Sequence, residues 1–237
     1  MLTEVATYRG RLAETVPQVR DRIAAAAIRV GRDPMDITLV AVSKGHPLEA
    51  VEAALDVGLE DLGENRVEEL AEKVRVFGRE RVRWHLVGHV QSRKAAYAAS
   101  LPHFFHALDR TGLAQKLSGI LTAENAQLPV LVQVNTAGEA TKGGFSAEEA
   151  VEGVAALVEL PGLKVEGLMT MAPFAADEGL LRRVFRDLRE VHERARASAD
   201  YHGKHLSMGM TNDFEIAVEE GSTLVRIGTA LFGERKK

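Results

Sequence analysis

The chain has 237 residues, enough for one large domain or two small ones. Its 30 Lys and Arg against 34 Asp and Glu give a net charge of −4, which excludes a broad electrostatic grip on nucleic acid but not a local basic pocket. The absence of cysteine removes disulfides, thiolate nucleophiles and Cys-ligated zinc, and no apolar run approaches the ~20 residues that span a bilayer.

Residues 1–14 set Glu4, Arg9, Arg11 and Glu14 among apolar neighbours, so no signal peptide is visible and a cytoplasmic protein is expected. Residues 3–31 read as a helix, with Val5, Tyr8, Leu12, Val16, Val19, Ile23 and Ala26 three or four apart. Pro17 marks a kink or a restart, and Gly31 with Asp33-Pro34 ends the segment. The β-branched run 37–44 reads as a buried strand. Helix 47–57 and a strand at 59–65 follow, then helix 66–77 and a strand at 83–89. A helix at 91–100 precedes a strand at 103–109, and helix 110–126 precedes a strand at 129–135. After a loop at 136–145 come helix 146–158, a strand at 163–170, a long helix at 177–199, a strand at 205–210, a short helix near 213–220 and a last strand at 224–232.

Eight strands alternating with helices imply a parallel sheet, and eight units in this length predict a closed (β/α)8 TIM-type barrel with an extra N-terminal helix. An open doubly wound sheet is the competing architecture. The chain ends just after the eighth strand, so no helix is expected there, and the N-terminal helix is the candidate to fill that gap. No linker or low-complexity tract divides residues 1–237, and a single domain is expected.

A barrel carries its chemistry at the C-terminal ends of its strands, often with a phosphate held after strands seven and eight. Lys44 ends the first strand and shares a face with Thr38, Val40 and Val42. If that face is the interior, the amine stands at the pocket mouth, where low-dielectric walls or a neighbouring cation make it a nucleophile able to form a Schiff base. By position alone it reads more readily as a lysine snorkelling to solvent. Ser207-Met-Gly-Met-Thr211 and Arg226-Ile-Gly-Thr229 bring hydroxyls, close-approach glycines and a guanidinium to the phosphate position, as ordinary strand-end turns also would. His85 and His89 lack metal-ligand spacing, Glu64 and Asp109 read as caps or ion-pair partners, and the glycines of Lys142-Gly-Gly-Phe145 mark a flexible turn.

Taken together, Ala-Val-Ser-Lys44, Gly63-Glu-Asn-Arg66, Trp84-His-Leu-Val-Gly88 with Gln91-Ser-Arg-Lys94, Val134-Asn135 with Glu139 and Lys142-Gly-Gly-Phe145, Gly167-Leu-Met-Thr-Met171, Ser207-Met-Gly-Met-Thr-Asn-Asp213 and Gly221 through Gly233 occur in order. They resemble the pyridoxal-phosphate homeostasis protein family from about residue 37 to 233. The resemblance implies a barrel like the N-terminal domain of alanine racemase, with Lys44 matching the lysine that holds pyridoxal 5′-phosphate as an aldimine. It places Ser207, Arg226, Gly228 and Thr229 at the phosphate, and Asn65, His85, Met169 and Met208 around the ring. Arg93 stands where the family usually has Asn, and Thr211 where Ser is common, which keeps the hydroxyl.

The resemblance also implies a monomer that limits the free cofactor and releases it to apo-enzymes, without turnover. The alternative is a pyridoxal-phosphate-dependent racemase or lyase. A two-base racemase needs an opposing tyrosine, and Tyr8, Tyr97 and Tyr201 fall in helices or a loop, with no residues left for a second domain. A barrel enzyme for an ordinary sugar phosphate is the third reading.

Overall fold

In the computed structural model, which describes residues 2–139, 142–174, 176–198 and 200–235, eight parallel strands close into a ring. These are β1 (Thr38–Val42), β2 (Asp61–Glu64), β3 (Arg83–Leu86), β4 (Phe104–Leu108), β5 (Leu128–Asn135), β7 (Leu163–Met169), β8 (His205–Ser207) and β9 (Leu224–Ile227), while β6 (Phe145–Ser146) pairs with β5 outside the ring. Their order is β4-β3-β2-β1-β9-β8-β7-β5, and a β4–β5 pairing closes the circle. That last pairing decides for the barrel: an open sheet would leave both strands as edges.

Helices α1 (Leu2–Arg29), α2 (Leu48–Asp56), α3 (Val67–Phe77), α4 (Ala95–Ser100), α5 (Thr111–Ala123), α6 (Ala150–Val158), α7 (Glu178–Ser198), α8 (Phe214–Glu219) and α9 (Thr229–Phe232) surround it. The expected end of α7 at Ala199 lies outside the described residues. On α7, Leu181, Val184, Phe185, Leu188, Val191 and Ala195 are buried at helical spacing, and each large apolar side chain so covered contributes roughly 1.5–3 kcal/mol before entropy is counted. Among the described residues no helix is long and apolar enough to cross a membrane.

Three expectations are corrected. Pro17 does not restart α1, which runs through it. Pro17 and Ala13, whose carbonyl loses its helical donor, both face solvent, so water can take that bond. The segment 224–232 is not one strand: β9 stops at Ile227, Gly228 leaves extended geometry, and α9 follows. A helix therefore does follow the last strand, and α1 packs against it as well as against α2 and α8. Finally, Lys142-Gly-Gly-Phe145 is tied down rather than loose. Gln133 Nε2 donates to Gly143 O (2.6 Å), Lys142 Nζ donates to Met171 O (3.2 Å), and Phe145 enters β6; Ala140 and Thr141 lie outside the described residues.

Strand register decides which side chains enter the barrel. Val40 is level with Arg226 and Val42 with Gly63, Gly63 with His85, His85 with Phe104, Gly167 with His205, and Met169 with Ser207. Paired residues of parallel strands point to the same side, so Thr38, Val40 and Val42 line the interior and Lys44 leaves β1 on that side. Gly167 allows β7 and β8 to approach: a Cβ there would lie 2.0 Å from His205 O.

Candidate functional site at the C-terminal mouth of the barrel

Lys44 is half-buried just beyond β1, and the turn that carries it is anchored from below. Ser43 faces outward from the barrel, where its Oγ donates to Glu64 Oε1 (2.5 Å). Lys73 Nζ, from α3, donates to the same carboxylate oxygen (2.7 Å), to Ser43 O (2.9 Å) and to Glu69 Oε1 (3.1 Å). Gly45, at φ +72°, donates its N–H to Glu69 Oε1 (2.5 Å). These bonds join the ends of β1 and β2 to α3 and hold the Lys44 backbone in place. Burial pushes the Glu64 carboxyl up to about 7 despite the opposing pull of Lys73. Burial also lowers the Lys44 amine below its ordinary range, helped by the charges of Arg235 and Arg226 and opposed by Glu64 and Glu69. More of this amine is therefore unprotonated and nucleophilic at neutral pH than of a free lysine.

On the neighbouring strand, Arg226 is 5% exposed and points inward from β9. Its guanidinium donates to Ser207 Oγ (2.5 Å) and Thr170 O (3.0 Å), and burial draws its pKa down to about 10. Gly228 runs close to β1, since a Cβ on it would meet Val42 O at 3.2 Å. The helix α9 opens there without a side-chain cap, and Thr229 is exposed at its first position. Thr211 Oγ1 accepts from Ala230 N (3.4 Å), while Asp213 Oδ1 accepts from Met210 N (2.5 Å) and shapes the loop after β8. A cation, hydroxyls and the backbone of a helix start thus share one rim, a donor set that suits a phosphate dianion. The primary amine that an aldehyde requires stands beside them at the end of the adjacent strand β1, so the residues fit pyridoxal phosphate.

The structure gathers Lys44, Arg226, Gly228 and Thr229 at this mouth, with Ser207 behind Arg226. The other expected residues are placed differently. Asn65 is exposed on the rim and lies so close over Gly88 that a Cβ there would meet its carbonyl at 2.1 Å. Met169 and Met208 are fully buried, and His85 is an interior residue bonded to Asp61 (2.9 Å) and His106 (2.9 Å). Glu64 is an ion-pair partner, as is Asp109, which binds His89 (2.5 Å) and Arg110 (2.5 Å). Arg93 is exposed and donates to Gln91 Oε1 (3.0 Å), a contact confined to its own turn. Sequence reasoning missed His106, Lys73 and Arg235. Strand alternation from Phe104 could have flagged His106 as inward-facing, whereas nothing local connects Arg235 to Lys44.

Comparison with known proteins identifies the family. The family model of the alanine racemase N-terminal domain matches residues 18–236. A pyridoxal phosphate homeostasis protein of Aquifex aeolicus is 40% identical over 223 residues, covering 94% of this chain and 98% of its own. One of Escherichia coli K12 is 41% identical over 229 residues, covering 94% and 97%. PipY of Synechococcus elongatus PCC7942, in a structure with PLP bound, superposes with a TM-score of 0.79 at 30% identity over 91% of this chain and all of that one. With relatives this similar along nearly their whole length, the chain belongs to the pyridoxal phosphate homeostasis proteins, within the alanine racemase N-terminal domain family.

Proposed function

We propose that this protein binds pyridoxal 5′-phosphate through Lys44 Nζ and takes part in vitamin B6 homeostasis without catalytic turnover. The observation that carries the reading is a half-buried amine of lowered pKa sharing one barrel mouth with a buried guanidinium and the Gly228-Thr229 turn. When bound, the cofactor's aldehyde condenses reversibly with a primary amine, losing water. Lys44 supplies that amine, and Arg226, Gly228 and Thr229 supply charge and donors for the phosphate end. Asn65, His85, Met169 and Met208 complete the expected surroundings of the ring, Asn65 from the rim and the other three from buried positions.

The absence of turnover is read from the tyrosines. Tyr8 lies on α1 against His46 (3.1 Å), Tyr97 is exposed on α4, and Tyr201 is buried against His192 (2.9 Å). Two of these hydroxyls are engaged by histidines and the third faces solvent, which supports a reading without a second base. Reversible attachment suits a monomeric cytoplasmic reservoir that limits the free aldehyde and passes it to apo-enzymes.

The test is an absorption spectrum with added pyridoxal phosphate, followed by borohydride reduction and peptide mass mapping. The expected result is a visible band that reduction removes, leaving a phosphopyridoxyl mass on Lys44. No uptake would overturn the reading and return the site to other phosphate ligands. Sustained racemisation or cleavage of an amino acid, lost in Lys44→Ala, would favour the enzyme instead.

A further inference from the structure

The barrel interior contains a continuous file of polar side chains. Arg226 Nη1 lies 2.5 Å from Ser207 Oγ, Ser207 Oγ 2.9 Å from His106 Nδ1, His106 Nε2 2.9 Å from His85 Nδ1, and His85 Nε2 2.9 Å from Asp61 Oδ1. The file starts at the candidate site and ends near the opposite mouth, where Arg83 grips Asp61 through two bonds of 2.7 Å. Ser207 and His106 have no exposed surface, and His85 is 3% exposed.

We infer that this file has a single proton order, Arg226 to Ser207 to His106 to His85 to Asp61, in which His106 is a positioning residue that holds Ser207 and Arg226. The two ends dictate it. A guanidinium only donates, so Ser207 Oγ accepts from Arg226 and its own proton must go elsewhere. The acceptor within reach is His106 Nδ1. At the other end an ionised carboxylate only accepts, so His85 carries its proton on Nε2 and its Nδ1 is free to accept from His106 Nε2–H. Reversing either histidine would set two lone pairs, or two N–H groups, face to face in the interior, where an unmade bond costs most.

The environment supports both ends. Asp61 is held ionised, at about 2, because the bonds from His85 and Arg83 outweigh its burial. Full burial drives His106 well below the ordinary histidine range, and the positive charge of Arg226 acts the same way. Phe104 packs edge-on to His106 and His205 and tilts over His85, which leaves the rings little room to turn. One consequence concerns the site: the Ser207 hydroxyl proton is committed inward, so Ser207 does not donate to a phosphate oxygen and acts through Arg226.

The order is tested on the intact protein by histidine 15N NMR at pH 7. His106 and His85 should both appear as neutral rings protonated on Nε2, and Ser207→Ala should move the His106 Nδ1 signal toward that of a free nitrogen. A His106 ring protonated on Nδ1, or a charged ring at either position, would overturn the order. The positioning role rests on the pyridoxal phosphate reading, and pyridoxal phosphate titration tests it. His106→Leu should weaken binding about tenfold or more, as expected for a buried hydroxyl left without its acceptor. His106→Asn, whose amide oxygen can replace Nδ1, should recover most of it. Equal losses in the two variants would reduce His106 to a space-filler and overturn the positioning role. If no pyridoxal phosphate binds to any form, the functional reading fails, while the NMR signals still decide the proton order.

Discussion

Replacing Lys73 by Met isolates what the anchor below Lys44 contributes. The Lys73 and Glu64 side chains are 3% and 0% exposed, so removing the ammonium leaves a carboxylate with no solvent and no cation. Breaking a buried pair from one side costs about 3–5 kcal/mol. Ser43 O keeps the N–H of His46 (3.0 Å) and Glu64 keeps the Ser43 hydroxyl, so the loss is chiefly electrostatic. For a chain of this size roughly 2–4 °C accompany each kcal/mol, so the melting temperature should fall by roughly 6–20 °C. The loss depends on pH. Burial already raises Glu64 to about 7 with Lys73 present, and without Lys73 it rises further. A carboxyl whose folded pKa exceeds its unfolded value near ~4.3 holds an extra proton in the folded state between the two, so stability falls as pH rises through that window. Urea unfolding of wild type and Lys73→Met should therefore differ more at about pH 8.5 than at about pH 5.5, on either side of the wild-type Glu64 value of about 7. Adding Glu64→Gln to the variant should remove the pH dependence and recover much of the stability. A gap below about 1 kcal/mol at both pH values would refute the argument, because it would mean that water reaches the carboxylate.

Four other expectations follow from particular residues. Gly167→Ala sets a Cβ 2.0 Å from His205 O between two paired strands and should cost about 3 kcal/mol or more in a thermal melt. Gly119→Ala, exposed in α5 with nothing within 4 Å, should instead stabilise by up to about 1 kcal/mol. His192 is drawn by burial to about 4, so the unfolded chain binds the extra proton between about 4 and 6.5. Stability should therefore fall as pH drops through that window, by roughly 3 kcal/mol in all, and acid titration of His192→Gln should show a shallower decline. Arg235→Ala removes a cation that lowers the Lys44 amine, so the pH profile of pyridoxal phosphate uptake should shift upward; an unchanged profile would detach Arg235 from the site.

The barrel was legible because its signals are local and repeated: strand-length apolar runs alternate with helical stripes, and Gly31, Gly58 and Gly78 take the positive φ their turns require. Period-two alternation also read the Thr38–Val40–Val42–Lys44 face, and the register of β1 with β2 and β9 puts the first three of these residues inside. Element ends were less legible. The apolar character of Leu224 to Phe232 does not change where strand gives way to helix; Gly228 marks the break, and a glycine in a strand pattern has several meanings.

What the sequence conceals is partnership across the ring. Ser207 lies 101 residues from His106 along the chain, yet their side chains meet inside the barrel, near the strand closure made by β4 and β5. Alternation can say that each faces inward, but only closure says that they face each other. The distinction matters because an inward polar residue without a partner is a defect costing several kcal/mol, whereas a complete file from Arg226 to Asp61 lets five polar groups share one narrow interior. The polar interior is thus tolerable only as a set. Ser207 and Arg226, read singly from the sequence as phosphate ligands, have their roles decided by His106 and His85, which lie deeper in the barrel.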